Sequence, residues 1–105
     1  METKLELTLV LPASTPAGDT YVGTSALAWQ PDGLKLTRAG ANATGRLTVL
    51  EGTLVKLKAT RGTWATVEVA ATCGELANRE IVADYGANAT TSAQLSVAAW
   101  ADRCP

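Results

Sequence analysis

Histidine and phenylalanine are both missing from this 105-residue chain, and each absence excludes something. Without histidine there is no Ser-His-Asp or Cys-His nucleophile system and no His-containing zinc site. Two cysteines, Cys73 and Cys104, are too few for a thiolate metal site. Without phenylalanine the core must be built from aliphatic side chains, and the aromatics shrink to Trp29, Trp64, Trp100, Tyr21 and Tyr85. Charge is also sparse: 18% of residues are charged, and nine basic against ten acidic side chains leave a net −1. That balance gives no electrostatic footprint for nucleic acid or an anionic membrane. The segment from Met1 to Leu11 alternates polar and apolar residues, so it is not the apolar core of a signal peptide. No stretch approaches the roughly 18 apolar residues of a membrane span. These exclusions favour a binding module over an enzyme, and no cofactor is expected.

What the chain does have is 47% hydrophobic residues, enough for the core of one domain spanning 1–105. Their spacing has period two, and helical periodicity never lasts beyond about two turns. Leu5, Leu7, Leu9 and Leu11 point one way and Lys4, Glu6 and Thr8 the other, which predicts a long first strand ended by Pro12 and Pro16. Further strands are expected at 20–23, around Leu34 and Leu36, and at about 46–51, 54–60, 64–70, 79–83 and 93–100. Ala39 to Gly45 reads as a loop, and Gln30-Pro31-Asp32-Gly33 as a turn. Seven or eight short strands with turn chemistry between them indicate an all-β antiparallel sandwich.

One hairpin can be read more closely. A three-residue loop at Arg61-Gly62-Thr63 pairs Leu57 with Val67 and Val55 with Val69, so both apolar sets face inward. It also pairs Lys56 with Glu68 and Thr60 with Trp64, placing Trp64 outward near Lys58. The repeat Gly40-Ala-Asn-Ala-Thr44 and Gly86-Ala-Asn-Ala-Thr90 has no wider periodicity and falls in two loops. Its sequons, at Asn42 and Asn88, matter only in a eukaryotic secretory route, and the Ala- and Thr-rich composition looks more bacterial. Asp19, Asp32, Glu75 and Asp84 are scattered through turns and do not define a glycosidase pair. Cys73 and Cys104 are either one disulfide or two free thiols. A disulfide would suit an exported protein and, without a signal peptide, a module cut from a longer secreted chain; a cytoplasmic setting stays open.

The order of motifs carries a resemblance across roughly residues 4–102. Leu9-Val-Leu-Pro12 leads to Thr15-Pro-Ala-Gly-Asp-Thr20, Tyr21-Val-Gly23, Trp29-Gln-Pro-Asp-Gly33 and Leu36-Thr-Arg38. Then come Leu47-Thr-Val-Leu-Glu-Gly52, Val55-Lys-Leu-Lys58, Arg61-Gly-Thr-Trp64, Asn78-Arg79 and a last strand ending in Trp100. The set resembles the starch-binding domains of carbohydrate-binding module family 20 and related glycogen-binding modules. The resemblance implies an immunoglobulin-like β-sandwich that is non-catalytic and binds α-1,4-glucan by aromatic stacking, anchoring an attached catalytic domain. By motif, Trp29 takes a stacking role, and Lys58 and Asn78 bond sugar hydroxyls. The family's second stacking tryptophan falls at about Cys73, so Trp64 fills that role only if its loop folds back. A tryptophan of the family's second glucan site falls at about Ala43.

Each of these residues also has a structural reading. Trp29 either displays its ring to solvent or plugs the end of the sandwich. Trp64 either meets ligand or braces a hairpin, and Trp100 is expected to be structural. Tyr21 and Tyr85 read as core or rim. The competing functional class is an immunoglobulin-like structural or protein-interaction module that has lost sugar binding.

Overall fold

The computed structural model describes residues 2–83 and 90–104. Sequence features at Asp84, Tyr85 and Asn88 lie outside them. The fold is an all-β sandwich, the expected class, with a seven-stranded sheet and a small two-stranded ladder. Its strands are β1 (Glu2–Val10), β2 (Thr20–Thr24), β3 (Leu34–Ala39), β4 (Asn42–Leu50), β5 (Leu54–Thr60), β6 (Glu68–Val69), β7 (Arg79–Val82), β8 (Thr90–Ser96) and β9 (Ala99–Trp100). The large sheet runs β7-β5-β2-β3-β4-β1-β8, and β6 pairs with β9. The described residues hold nine strands, not seven or eight, and the large sheet is mixed, not antiparallel throughout, because β8 runs parallel to β1.

Alternation in β1 places Thr3, Leu5, Leu7 and Leu9 inward, as the period-two reading expects. The strand sits between antiparallel β4 and parallel β8. Strand β3 joins the two halves of the fold: Leu34–Leu36 pair with β2, whereas Thr37–Ala39 pair with β4. One core results, in which Leu5, Leu7, Leu9 and Leu47 share a cluster with Val22, Val55, Leu57 and Ala59. Trp100 belongs to the same core and is fully buried; its indole N–H donates to Thr15 Oγ1 at 2.8 Å. The structural reading of Trp100 is therefore the one realised. Burying an aromatic of this size requires that its N–H find a partner, and Thr15 provides one.

Two local expectations are corrected. Ala39 to Gly45 is not a loop. Ala39 pairs with Asn42 across a two-residue turn, and Gly40 adopts φ 63°, the positive value such tight hairpin turns need. The first copy of the repeat thus lies mostly in β4. The small side chains of Ala41, Asn42 and Ala43 hide a strand that β1 imposes by pairing Val10 with Asn42.

The second correction is the hairpin after β5. Both edges of β5 are already taken, by β2 and β7, so no third strand can pair with it. The chain instead leaves the sheet through a 3₁₀ turn at Trp64–Thr66 and pairs β6 with β9. Lys56 lies opposite Glu80, not Glu68. Ala65 is exposed and Val67 and Val69 are only half-buried, while Thr60 is buried and donates to the Pro31 carbonyl.

Glu68 is fully buried. Its carboxylate accepts from the Ala59 amide at 2.8 Å and from Arg79, whose Nη2 reaches Oε1 at 2.6 Å and whose Nε lies 3.0 Å from Oε2. Arg79 also donates to the Ser96 carbonyl at 2.7 Å. A buried carboxylate persists only when paired and hydrogen-bonded, and this one ties β5, β6, β7 and the end of β8 together.

Cys73 and Cys104 form a disulfide, with Cα atoms 5.9 Å apart and a sequence separation of 31. In the chain-entropy picture a loop of that length stabilises by about 3–4 kcal/mol. The bond fastens the exposed segment between β6 and β7 to the turn that follows Trp100.

Candidate functional site

Trp29 is set by the loop after β2. Thr24 Oγ1 accepts from the Ala26 amide and donates to the Lys56 carbonyl at 2.9 Å, starting a 3₁₀ turn at Ser25–Leu27. Ser25 Oγ accepts from the Lys56 amide at 3.0 Å, so β5 holds the loop from below. The turn ends in two left-handed residues, Ala28 at φ 59° and Trp29 at φ 56°. For non-glycine residues that conformation costs on the order of 1–3 kcal/mol each and survives only where the surroundings enforce it. Here the Trp29 amide donates to the Thr24 carbonyl at 2.9 Å and the Gly33 amide to the Gln30 carbonyl at 3.0 Å. The loop thus accepts backbone strain to present a half-buried indole at the surface.

Trp64 approaches from the other direction. Thr63 and Thr66 form reciprocal caps around the turn that Trp64 begins, and Thr66 Oγ1 also accepts from the Arg61 amide. The indole is 43% exposed. Its six-membered ring lies over Gly23: a Cβ at Gly23 would stand 2.6 Å from Trp64 Cη2 and 3.2 Å from the Gln30 carbonyl. The rings of Trp29 and Trp64 meet with centroids 6.3 Å apart and planes tilted by 47°. The two indoles form one bent, partly exposed surface.

Lys58 pairs with Gly23 across β5 and β2, so its side chain leaves the sheet on the face that Trp64 covers. Among the described residues no carboxylate forms an ion pair with it. Asn78 is exposed and precedes β7. Because Arg79 pairs with Leu57, Asn78 lies one residue beyond the ladder, on the Lys58 side. The Glu68 clamp on Arg79 fixes the backbone there. The structure therefore brings Trp29 and Trp64 into contact, and sets Lys58 and the Asn78 backbone beside them on the outer side of β2, β5 and β7.

Trp64 reaches this place by the folding-back of its loop, and not by the hairpin register expected for it. Sequence reasoning missed Gly23 as part of the site. The available signal was a glycine inside a strand, which often marks close approach of another group. Cys73, near which the resemblance would put a second stacking tryptophan, serves the disulfide instead. Ala43, near which the resemblance would put a second-site tryptophan, is buried in the core.

Beside these residues, Arg61 ion-pairs with Asp102 and holds its guanidinium 5.5 Å from the Trp100 ring centroid. The Arg61 hydrogen bond, with its charge, keeps the Asp102 carboxyl below its usual range.

No protein-family model matches the sequence, and neither does any curated protein. Among solved structures the chain is similar to a glycoside hydrolase family 15 glucoamylase from Hypocrea jecorina, with a TM-score of 0.71 and 15% sequence identity. The match covers 94% of this chain but only 17% of the glucoamylase chain. At that identity the likeness shows the fold.

Proposed function

We propose that this domain is a non-catalytic α-glucan-binding module of the family 20 type, taking starch, glycogen or maltooligosaccharide and anchoring an attached enzyme to it. The observation that carries this reading is the contact between Trp29 and Trp64 at the surface, beside Lys58. A Leu- and Val-rich core has no need of these two indoles, and one of them is displayed at a cost in backbone strain. The flat apolar face of a glucose ring packs on an indole while its rim stays hydrated. Lys58 and Asn78 then supply donors and acceptors for the sugar hydroxyls. The fold-level neighbour supports the reading, since it is a glucoamylase, named for an α-glucan, and this fold makes up a small share of it. The disulfide fits a module of a longer secreted protein.

Affinity is modest in this scheme, because few groups take part and tethering supplies effective concentration. Titration with maltoheptaose, followed by tryptophan emission, is the test. Saturable binding at millimolar sugar that is lost in Trp29→Ala is expected. No response at millimolar sugar, or an unchanged response in the variant, overturns the proposal.

A second reading, a protein-interaction module without sugar binding, draws on exposed apolar side chains: Leu54 and Val82 face each other across β5 and β7, with Leu50 nearby in sequence. Retention on insoluble starch separates the two, since only the glucan-binding module is retained.

A further inference from the structure

Tyr21 lies on the same outward face of β2 as Gly23, two residues away, because side chains alternate along a strand. Gly23 carries the Trp64 ring, and Gly62, two residues before Trp64, runs beside Tyr21: a Cβ at Gly62 would stand 3.6 Å from Tyr21 Cε2. The segment 62–64 thus runs along the outer face of β2, with glycine against the tyrosine and tryptophan over the glycine. Gly62 brings backbone without a side chain beside the half-buried ring, and Thr60 is the cross-strand partner of Tyr21 on β5. The far side of Tyr21 is polar. Its hydroxyl donates to Asp19 Oδ2 at 3.4 Å, Lys35 Nζ lies 3.5 Å from the same oxygen, and Lys35 is the cross-strand partner of Tyr21.

We infer that Tyr21 is a third stacking subsite, continuing the Trp29–Trp64 surface along β2, with Asp19 and Lys35 bonding the hydroxyls of the sugar on it. This rests on the glucan-binding reading and adds that the site measures chain length. Maltotriose fills the indole pair, and longer oligosaccharides extend onto Tyr21.

The test compares maltotriose with maltoheptaose in the wild type, Tyr21→Ala and Tyr21→Phe. One further stacked ring predicts a preference of about 2- to 10-fold for maltoheptaose in the wild type. Tyr21→Phe retains that preference. Tyr21→Ala lowers maltoheptaose affinity by that factor relative to the wild type, while binding maltotriose as the wild type does. A ring that only supports the fold would lower both affinities together, and that result overturns the inference. If Tyr21→Ala fails to fold, the ring signals of Tyr21 in the wild-type NMR spectrum decide: they shift with maltoheptaose and not with maltotriose, and equal or absent shifts overturn the inference. Maltotriose binding without any length preference overturns Tyr21 alone, whereas silence towards both sugars removes the glucan reading with it.

Discussion

Replacing Gly23 with alanine tests the architecture of the site most directly. Gly23 does not have a positive φ, so alanine meets no backbone strain there. What it meets is the Trp64 ring, 2.6 Å from the new methyl at Cη2 and 3.2 Å at Cζ3, with the Gln30 carbonyl at 3.2 Å behind. Ordinary carbon contacts are about 3.5–4.0 Å, so the ring must retreat by on the order of 1 Å or tilt away from the sheet. Overpacking of this kind costs about 1–3 kcal/mol. Reduced freedom of the unfolded chain returns about 0.4–1 kcal/mol. The net loss of roughly 0–2.5 kcal/mol leaves a domain of ordinary stability folded. The larger consequence falls on the site, where Trp64 loses its seat against Trp29.

Maltoheptaose affinity should then drop about 2- to 10-fold, the worth of one aromatic contact. Tryptophan emission should shift even without sugar, and the urea slope should stay that of the wild type. Gly74→Ala serves as the control, since a Cβ there meets only Thr72 Oγ1 at 3.5 Å. If Gly23→Ala binds sugar as tightly as the wild type, with an unchanged emission spectrum, the placement of Trp64 over β2 is refuted as the basis of binding.

Two further predictions concern stability. Glu68→Ala strips Arg79 of its buried partner and the Ala59 amide of its acceptor, and should lower stability by about 3–5 kcal/mol. The midpoint of urea unfolding measures this; a loss below about 1 kcal/mol would be too small for a buried charge pair. Asp102 gives a pH dependence. Its folded pKa is depressed, mainly by the Arg61 hydrogen bond, so its contribution is present above the unfolded value near 3.8 and fades as pH falls through the lower folded value. Asp102→Asn should flatten the acid limb of a stability-against-pH curve below about pH 4, and an unchanged slope would exclude that linkage.

The contrast between what was legible and what was not runs along particular residues. The inward set of β1 is written in its alternation, because which face a side chain takes is a local property of a strand. The inward set Val55, Leu57 and Ala59 was legible for the same reason. The partner of β5 was not. Pairing Val55 with Val69 satisfied burial locally, yet β7 and β2 occupy both edges of that strand, and no short window of sequence records this. Glu68 shows the same limit: its carboxylate reads as a surface charge until Arg79 and the Ala59 amide are placed around it. The β4 residues 42–45 looked like a loop because their side chains are small. Their strand character comes from β1, whose paired residues Val10 to Leu7 lie far earlier in the chain.

The sequence by itself determined an aliphatic all-β core, with Trp29, Trp64, Lys58 and Asn78 as the residues to watch. The core follows from composition and period-two spacing, which act over short distances, whereas Trp29, Lys58 and Asn78 were marked by the resemblance of motifs. Only the tertiary structure decided that Trp64 leaves the sheet and settles on Gly23 against Trp29, that Lys58 rises beside it, and that Cys73 closes on Cys104. Each of those contacts joins segments that share no local pattern. Their meeting depends on which strand edges, and which uncovered glycine, remain free once the core has formed.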